Sequence, residues 1–232
     1  MWRTIWNDLL LLLFPETCAA CGNKLMESEK VICLHCLYKL PRTDFHKDRD
    51  NQTELRLRGK FPVEAATSLI YFNKGSDFSH LIHLLKYKNR KDIGEFLGRQ
   101  AGMELKQDGI FTDVDCIVPI PLHIKKERKR GYNQAEWIAK GLAEALDIPL
   151  ETQGVKRIKS NKTQTRKSAI ERWLNVKEIF KIANTSTLHH KHILIVDDVL
   201  TTGATIESCA TTLLEVEGVK VSVFTLGLAI LA

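Results

Sequence analysis

Apolar positions along this chain follow two periods. Short apolar, partly β-branched runs at Ala65–Phe72, around Cys116–Val118, at Gly154–Ile158, at Ile193–Val196 and at Val219–Leu226 read as strands. Between them the spacing turns helical. Phe78, Leu81, Ile82, Leu84 and Leu85 form one stripe, Lys91–Lys106 carries a second helix, and Tyr132–Leu146 turns Ile138, Leu142 and Leu146 inward. Ile206, Ala210, Leu213 and Leu214 mark a further helix within Ile206–Glu217. Strands alternating with helices predict an α/β fold around a parallel sheet over residues 62–232. Ahead of that domain, residues 1–14 place Trp2, Ile5, Trp6, Leu9, Leu10 and Leu13 on one helical face, residues 15–40 are cysteine-rich, and 41–61 read as a polar linker dense in Arg, Asp and Lys.

Composition changes this picture little. At 232 residues, 44% hydrophobic and 27% charged, the chain suits one ordinary α/β domain with a small appendage. Its net charge of +6 favours acidic partners without choosing between a small phosphorylated substrate and a nucleic acid. The Leu9–Phe14 run is far shorter than the roughly twenty residues a bilayer-spanning helix needs, so no transmembrane segment is expected. Asp8 stands at the front of that run, where a signal peptide would be apolar, and residues 1–14 are expected to pack as an amphipathic helix on the body of the protein or on a partner.

The cysteines are unevenly spread. Cys18 and Cys21, then Cys33 and Cys36, form two CxxC pairs, whereas Cys116 and Cys209 sit singly in core-like elements. Each pair can turn two thiolates inward, and the hairpin between them closes a tetrahedron, which predicts a zinc ribbon with structural Zn²⁺. Two disulfides are the competing reading, disfavoured in a reducing, cytoplasmic setting. His35 lies between the ligands as a spectator.

Candidate chemistry centres on His192–Thr205. The apolar strand ends in Asp197 and Asp198, and Thr201, Thr202, Gly203, Ala204 and Thr205 lead into a helix. A small-residue loop before a helix N-terminus offers free N–H groups and a positive dipole end to a phosphate. The carboxylates beside it are acceptors suited to vicinal hydroxyls. Elsewhere, basic residues gather at Lys86 and Lys88, in the run Lys125–Arg130 after Pro119-Ile120-Pro121, and in Lys156–Arg172, a segment able to close over a polyanion.

The stretch Ile193–Thr205 closely resembles the phosphoribosyl-pyrophosphate (PRPP) motif of type I phosphoribosyltransferases. With the CxxC pairs, LLKYK at Leu84–Lys88, DCIVPIPLH at Asp115–His123, RKRGYNQA at Arg128–Ala135, KTQT at Lys162–Thr165, Arg172 and NVKEIF at Asn175–Phe180, the whole chain resembles the ComF family. That resemblance implies a type I phosphoribosyltransferase fold with an N-terminal zinc ribbon held by Cys18, Cys21, Cys33 and Cys36. It also implies that Asp197 and Asp198 hold the ribose hydroxyls and Thr201–Thr205 the 5′-phosphate. Pro119, Ile120, Pro121, Arg128, Arg130, Lys86, Lys88, Lys162, Gln164 and Arg172 become candidates for the pyrophosphate and its closing loop. Three functions are then expected to compete. One is transfer of 5-phosphoribosyl from PRPP, with Mg²⁺, to an unidentified acceptor. The second is a non-catalytic single-stranded DNA-binding competence factor, working with a competence helicase or other DNA-processing proteins, with Tyr132, Trp137 and Trp173 available for stacking. The third is a PRPP-sensing regulator.

Overall fold

A computed structural model of the chain describes residues 15–73, 75–159 and 179–230. The helix expected over residues 1–14, and the greater part of the basic segment Lys156–Arg172, lie outside the described residues. The elements in order are α1 (Leu34–Tyr38), α2 (Gln52–Leu57), β1 (Ala66–Phe72), α3 (Asp77–Tyr87), α4 (Lys91–Asp108), β2 (Cys116–Pro119), α5 (Ile124–Arg130), α6 (Gln134–Leu146), β3 (Val155–Arg157), β4 (Phe180–Ile182), β5 (His192–Leu200), α7 (Ala204–Leu213) and β6 (Lys220–Ala229).

β1, β6, β5 and β2 form, in that order, a 4-stranded sheet whose pairings are all parallel. Both faces of such a sheet must be covered, which is why its strands are mostly apolar, with small hydroxyl residues such as Ser68 and Ser222 buried among them. The pleat sorts them: Leu194, Val196, Phe224 and Leu226 pack on one side with α3, α4 and α6, and Ile193, Ile195, Val221 and Val223 on the other with α7. β5 does not stop at the paired acids as its apolar run suggests. It continues to Leu200, because β6 is long enough to keep pairing, with Asp197 opposite Thr225 and Leu200 opposite Leu228.

Two other expectations change. The short strand near Val155 pairs antiparallel with β4, a strand too short to leave a periodic signal. Residues 41–61, expected as a linker, fold onto the larger domain. Thr43 N–H donates to the Leu69 carbonyl and Tyr71 N–H to the Pro41 carbonyl, adding a short antiparallel contact to the β1 edge. Asn51 caps α2 by accepting from the N–H groups of Thr53 and Glu54, while its amide donates to the carbonyls of Phe45, Asp48 and Ala66. Phe45, Leu57 and Phe61 are buried there. A six-residue amphipathic turn among charges is too brief for periodicity to reveal.

α4 and α6 pack at unusually close range. A Cβ at Gly98 would come within 2.1 Å of the Ile138 carbonyl oxygen, and one at Gly141 within 2.0 Å of the Glu95 carbonyl oxygen. The ribbon is not a separate body: Cys18, Leu25, Val31 and Ile32 share one apolar cluster with Ile70, Leu97 and Leu105. Arg42 ties it down, donating to the Leu37 carbonyl at 2.9 Å and to Glu104 at 2.9 Å.

Candidate functional site

The carboxyl end of β5 opens onto a cavity of about 310 Å³. Asp197, Asp198, Thr201 and Thr205 line it from β5 and the following loop; Ile120, Pro121 and Arg130 line it from the segment after β2, and Lys86 from α3. Thr202, Gly203 and Ala204 line an adjoining nook of about 40 Å³ with Thr201 and Thr205. Gly203 is the residue before α7 and has φ +83, a left-handed conformation that a side chain would strain. It turns the loop so that the first N–H groups of α7, which have no carbonyl partner inside the helix, bound the nook.

The acids are held unequally. Asp198 forms a 2.8 Å ion pair with Lys86 Nζ. Asp197 Oδ1 accepts the Asp198 N–H at 2.8 Å. Burial, then the neighbouring Asp198 charge, push the Asp197 carboxyl up to about 7, against the opposing pull of the Asp198 N–H, Lys86 and Arg157. Arg130 donates to Gln134 Oε1 at 2.6 Å, which aims its guanidinium along the cavity wall.

Several expected residues fall elsewhere. Pro119 lines a neighbouring cavity rather than this one. Lys88 and Arg128 are exposed and do not line it. Lys162, Gln164 and Arg172 lie outside the described residues. Tyr132, expected to be available for stacking, is 5% exposed, with its hydroxyl donating to the Leu85 carbonyl. Trp137 is half-buried, with Lys140 Nζ 4.7 Å from its ring centre. Trp173 lies outside the described residues.

Other contributors carry weak sequence signals. Arg157 on β3 lines the cavity, and burial lowers its guanidinium pKa while Asp197 pulls it the other way. Asn133 caps α6 by accepting the Ala135 N–H and braces the β2 loop by donating to the Ile120 carbonyl at 3.0 Å. An Asn immediately before a helical stripe is a recognisable cap, but its second bond joins distant chain segments. Arg56, in the supposed linker, donates to the carbonyls of Thr201 at 3.3 Å and Ala229 at 2.6 Å, and so supports the loop from behind.

The ribbon cysteines converge as their spacing predicts. Their sulfurs lie within 4.8 Å of one another, and Cys21 and Cys33 are 3.8 Å apart. That is far longer than a disulfide and close to the ~3.8 Å edge of a zinc–thiolate tetrahedron with bonds of about 2.3 Å. Burial opposes ionisation of Cys18, but N–H groups donated by Cys33, Cys21 and Ala20 outweigh it and lower the thiol to about 7. This donor set fits a structural zinc ion, and His35 stands outside it.

Comparison with known proteins gives the arrangement its relatives. Residues 133–232, from the start of α6 through β6, match the family model described as "Phosphoribosyl transferase domain". Competence protein ComFC of Bacillus subtilis is 30% identical over 225 residues, covering 95% of this chain and 88% of that protein. Competence protein F of Haemophilus influenzae is 35% identical over 132 residues, 55% of this chain, and the match spans 58% of that protein's length. DNA utilization protein YhgH of Escherichia coli K12 is 32% identical over 151 residues, covering 64% of this chain and 66% of that one. With a near full-length relative and the transferase match spanning β5 and the loop that follows it, the chain belongs to the ComF family of proteins with a type I phosphoribosyltransferase fold.

Proposed function

We propose that the cavity at the end of β5 binds PRPP and that the protein transfers its 5-phosphoribosyl group to an acceptor, releasing pyrophosphate. The observation that carries this reading is the convergence on one cavity of paired carboxylates, a phosphate-sized nook at a helix N-terminus, and the cations Lys86, Arg130 and Arg157. In this reading the N–H groups and hydroxyls of Thr201–Thr205 hold the 5′-phosphate, and Asp197 and Asp198 accept from the ribose hydroxyls. Ile120, Pro121, Arg130 and Arg157 face the pyrophosphate. Lys86, bound to Asp198 in the free protein, exchanges that partner for substrate oxygen. Mg²⁺ bound with the substrate would neutralise diphosphate charge. As C1 loses pyrophosphate, positive charge builds on the ribose, and the nearby carboxylates stabilise it without forming a bond.

Calorimetric titration with PRPP and Mg²⁺ tests the site. The wild-type protein is expected to bind, and a variant carrying both Asp197→Asn and Asp198→Asn to lose binding. Undiminished affinity in that variant would refute the assignment. Pyrophosphate release with candidate acceptors then separates a transferase from a PRPP sensor.

A second reading is supported by the exposed basic face of α5, where Lys125, Lys126, Arg128 and Lys129 all meet solvent, and by the competence and DNA-utilization names of the relatives. In it the protein contacts single-stranded DNA through phosphates, in the reducing cytoplasm where the ribbon thiols stay available for zinc. Replacing those four residues should weaken oligonucleotide binding and flatten its salt dependence; an unchanged slope sinks the reading.

A further inference from the structure

The end of the sheet opposite the cavity holds a second cluster of metal-ligating side chains. The turn before β5 carries His189 and His190, and the turn between α7 and β6 carries Glu217. One ligand atom from each lies within 4.8 Å of the others, and all are exposed. The backbone is shaped to bring them together. His190 takes φ 53, a left-handed conformation that histidine, with Asn and Asp, adopts more readily than most side chains, and its N–H donates to the Glu217 carbonyl at 3.0 Å. Its ring rests directly on Gly218, where a Cβ would come within 2.1 Å of Nδ1, so the ring can occupy this place only above a glycine. The two imidazole rings stand 6.1 Å apart between centres and are tilted by 48° to one another.

We propose that His189, His190 and Glu217 form a second metal site, separate from the cysteine ribbon, for zinc or another imidazole-preferring first-row divalent ion. Two imidazoles and one carboxylate make a familiar three-ligand set for zinc, with the remaining positions left to water. Its place in the fold assigns it a role. His189 and His190 precede β5, Glu217 follows α7, and between them runs the strand–loop–helix unit carrying Asp197, Asp198 and Thr201–Thr205. An ion held here clips the two ends of that unit together.

The test is zinc titration by calorimetry, with metal analysis, on full-length protein whose ribbon already holds its zinc. A second equivalent is expected to bind and to raise the melting temperature. Glu217→Gln should weaken that second equivalent by at least about tenfold, the loss typical of removing even an outer-shell partner. The double variant His189→Gln, His190→Ala should abolish it while the ribbon zinc and the circular dichroism spectrum stay unchanged. If His190→Ala disturbs the turn, His189→Gln alone reports the same loss from an exposed position. Stoichiometry that stays at one, or a second equivalent indifferent to all of these changes, overturns the proposal.

Discussion

Asp197→Asn is expected to stabilise the free protein while weakening the PRPP binding proposed for it. The Asp197 carboxyl rises from 3.8 to about 7 on folding, first through burial and then through the Asp198 charge. At about 1.4 kcal/mol per pKa unit, keeping that group ionised in the folded state costs at most about 4 kcal/mol. Asp197 is only partly buried, and Asn gives up the charge-assisted bond from the Asp198 N–H, so a gain of about 1–2 kcal/mol is expected above neutrality. The sign follows from proton uptake. A folded pKa above the unfolded one means the native state binds more protons between those values, so the wild type loses stability as pH rises from about 4 to about 7. Asn has no such dependence. The advantage of the variant should therefore be small near pH 4–5, grow to pH 7 and level off above it. Urea and thermal denaturation of both proteins at pH 5 and pH 8 read this out, at roughly 2–4 °C per kcal/mol for a chain of this size. Comparing the two at the same pH cancels whatever pH dependence a zinc ion in the ribbon would add. A variant less stable than wild type at pH 8, or one with an equal advantage at both pH values, would refute the reasoning. Such a trade of stability for function is expected where like charges are held together for a ligand.

Other consequences are equally direct. Gly141→Ala gains about 1 kcal/mol of helix propensity, but it sets a methyl 2.0 Å from the Glu95 carbonyl oxygen and 2.7 Å from Arg99 N, both backbone atoms. Overpacking of typically 1–3 kcal/mol or more should dominate, and a urea midpoint at or above wild type would show that α4 and α6 part freely. Arg56→Ala should weaken PRPP binding several-fold although Arg56 does not line the cavity, because the Thr201 and Ala229 carbonyls lose their common donor; unaltered affinity would remove Arg56 from the loop's support. Purified under reducing conditions, the protein should hold zinc in the ribbon, and chelation should expose the cluster of Cys18, Leu25 and Ile32 to a hydrophobic dye. No change in dye binding on metal removal would show that apolar packing alone holds the ribbon.

The parts of this molecule legible in its residues are those whose partners are near in the chain. The loop before α7 is one, since contiguous N–H groups and a helix start make the nook, and Gly203 at φ +83 is needed whatever surrounds it. The cysteine cluster is another, because each CxxC pair sets its own geometry and only one hairpin must close. The parallel strands were legible because each carries a mostly apolar, partly β-branched stretch, broken by small hydroxyl residues such as Ser68 and Ser222 that are buried with it and by the paired acids of β5. What long-range packing alone decided is which distant side chains meet these local devices. Sheet order β1-β6-β5-β2 brings α3, and with it Lys86, over Asp198, and the β3–β4 pair carries Arg157 to the same cavity. No spacing in the sequence encodes such a pairing, since it depends on strand neighbours rather than chain neighbours. The stretch 41–61 shows the same limit from the other side: its charges mark it as solvated, while a few apolar residues, Asn51 and Arg56 find their partners only once the sheet exists to receive them.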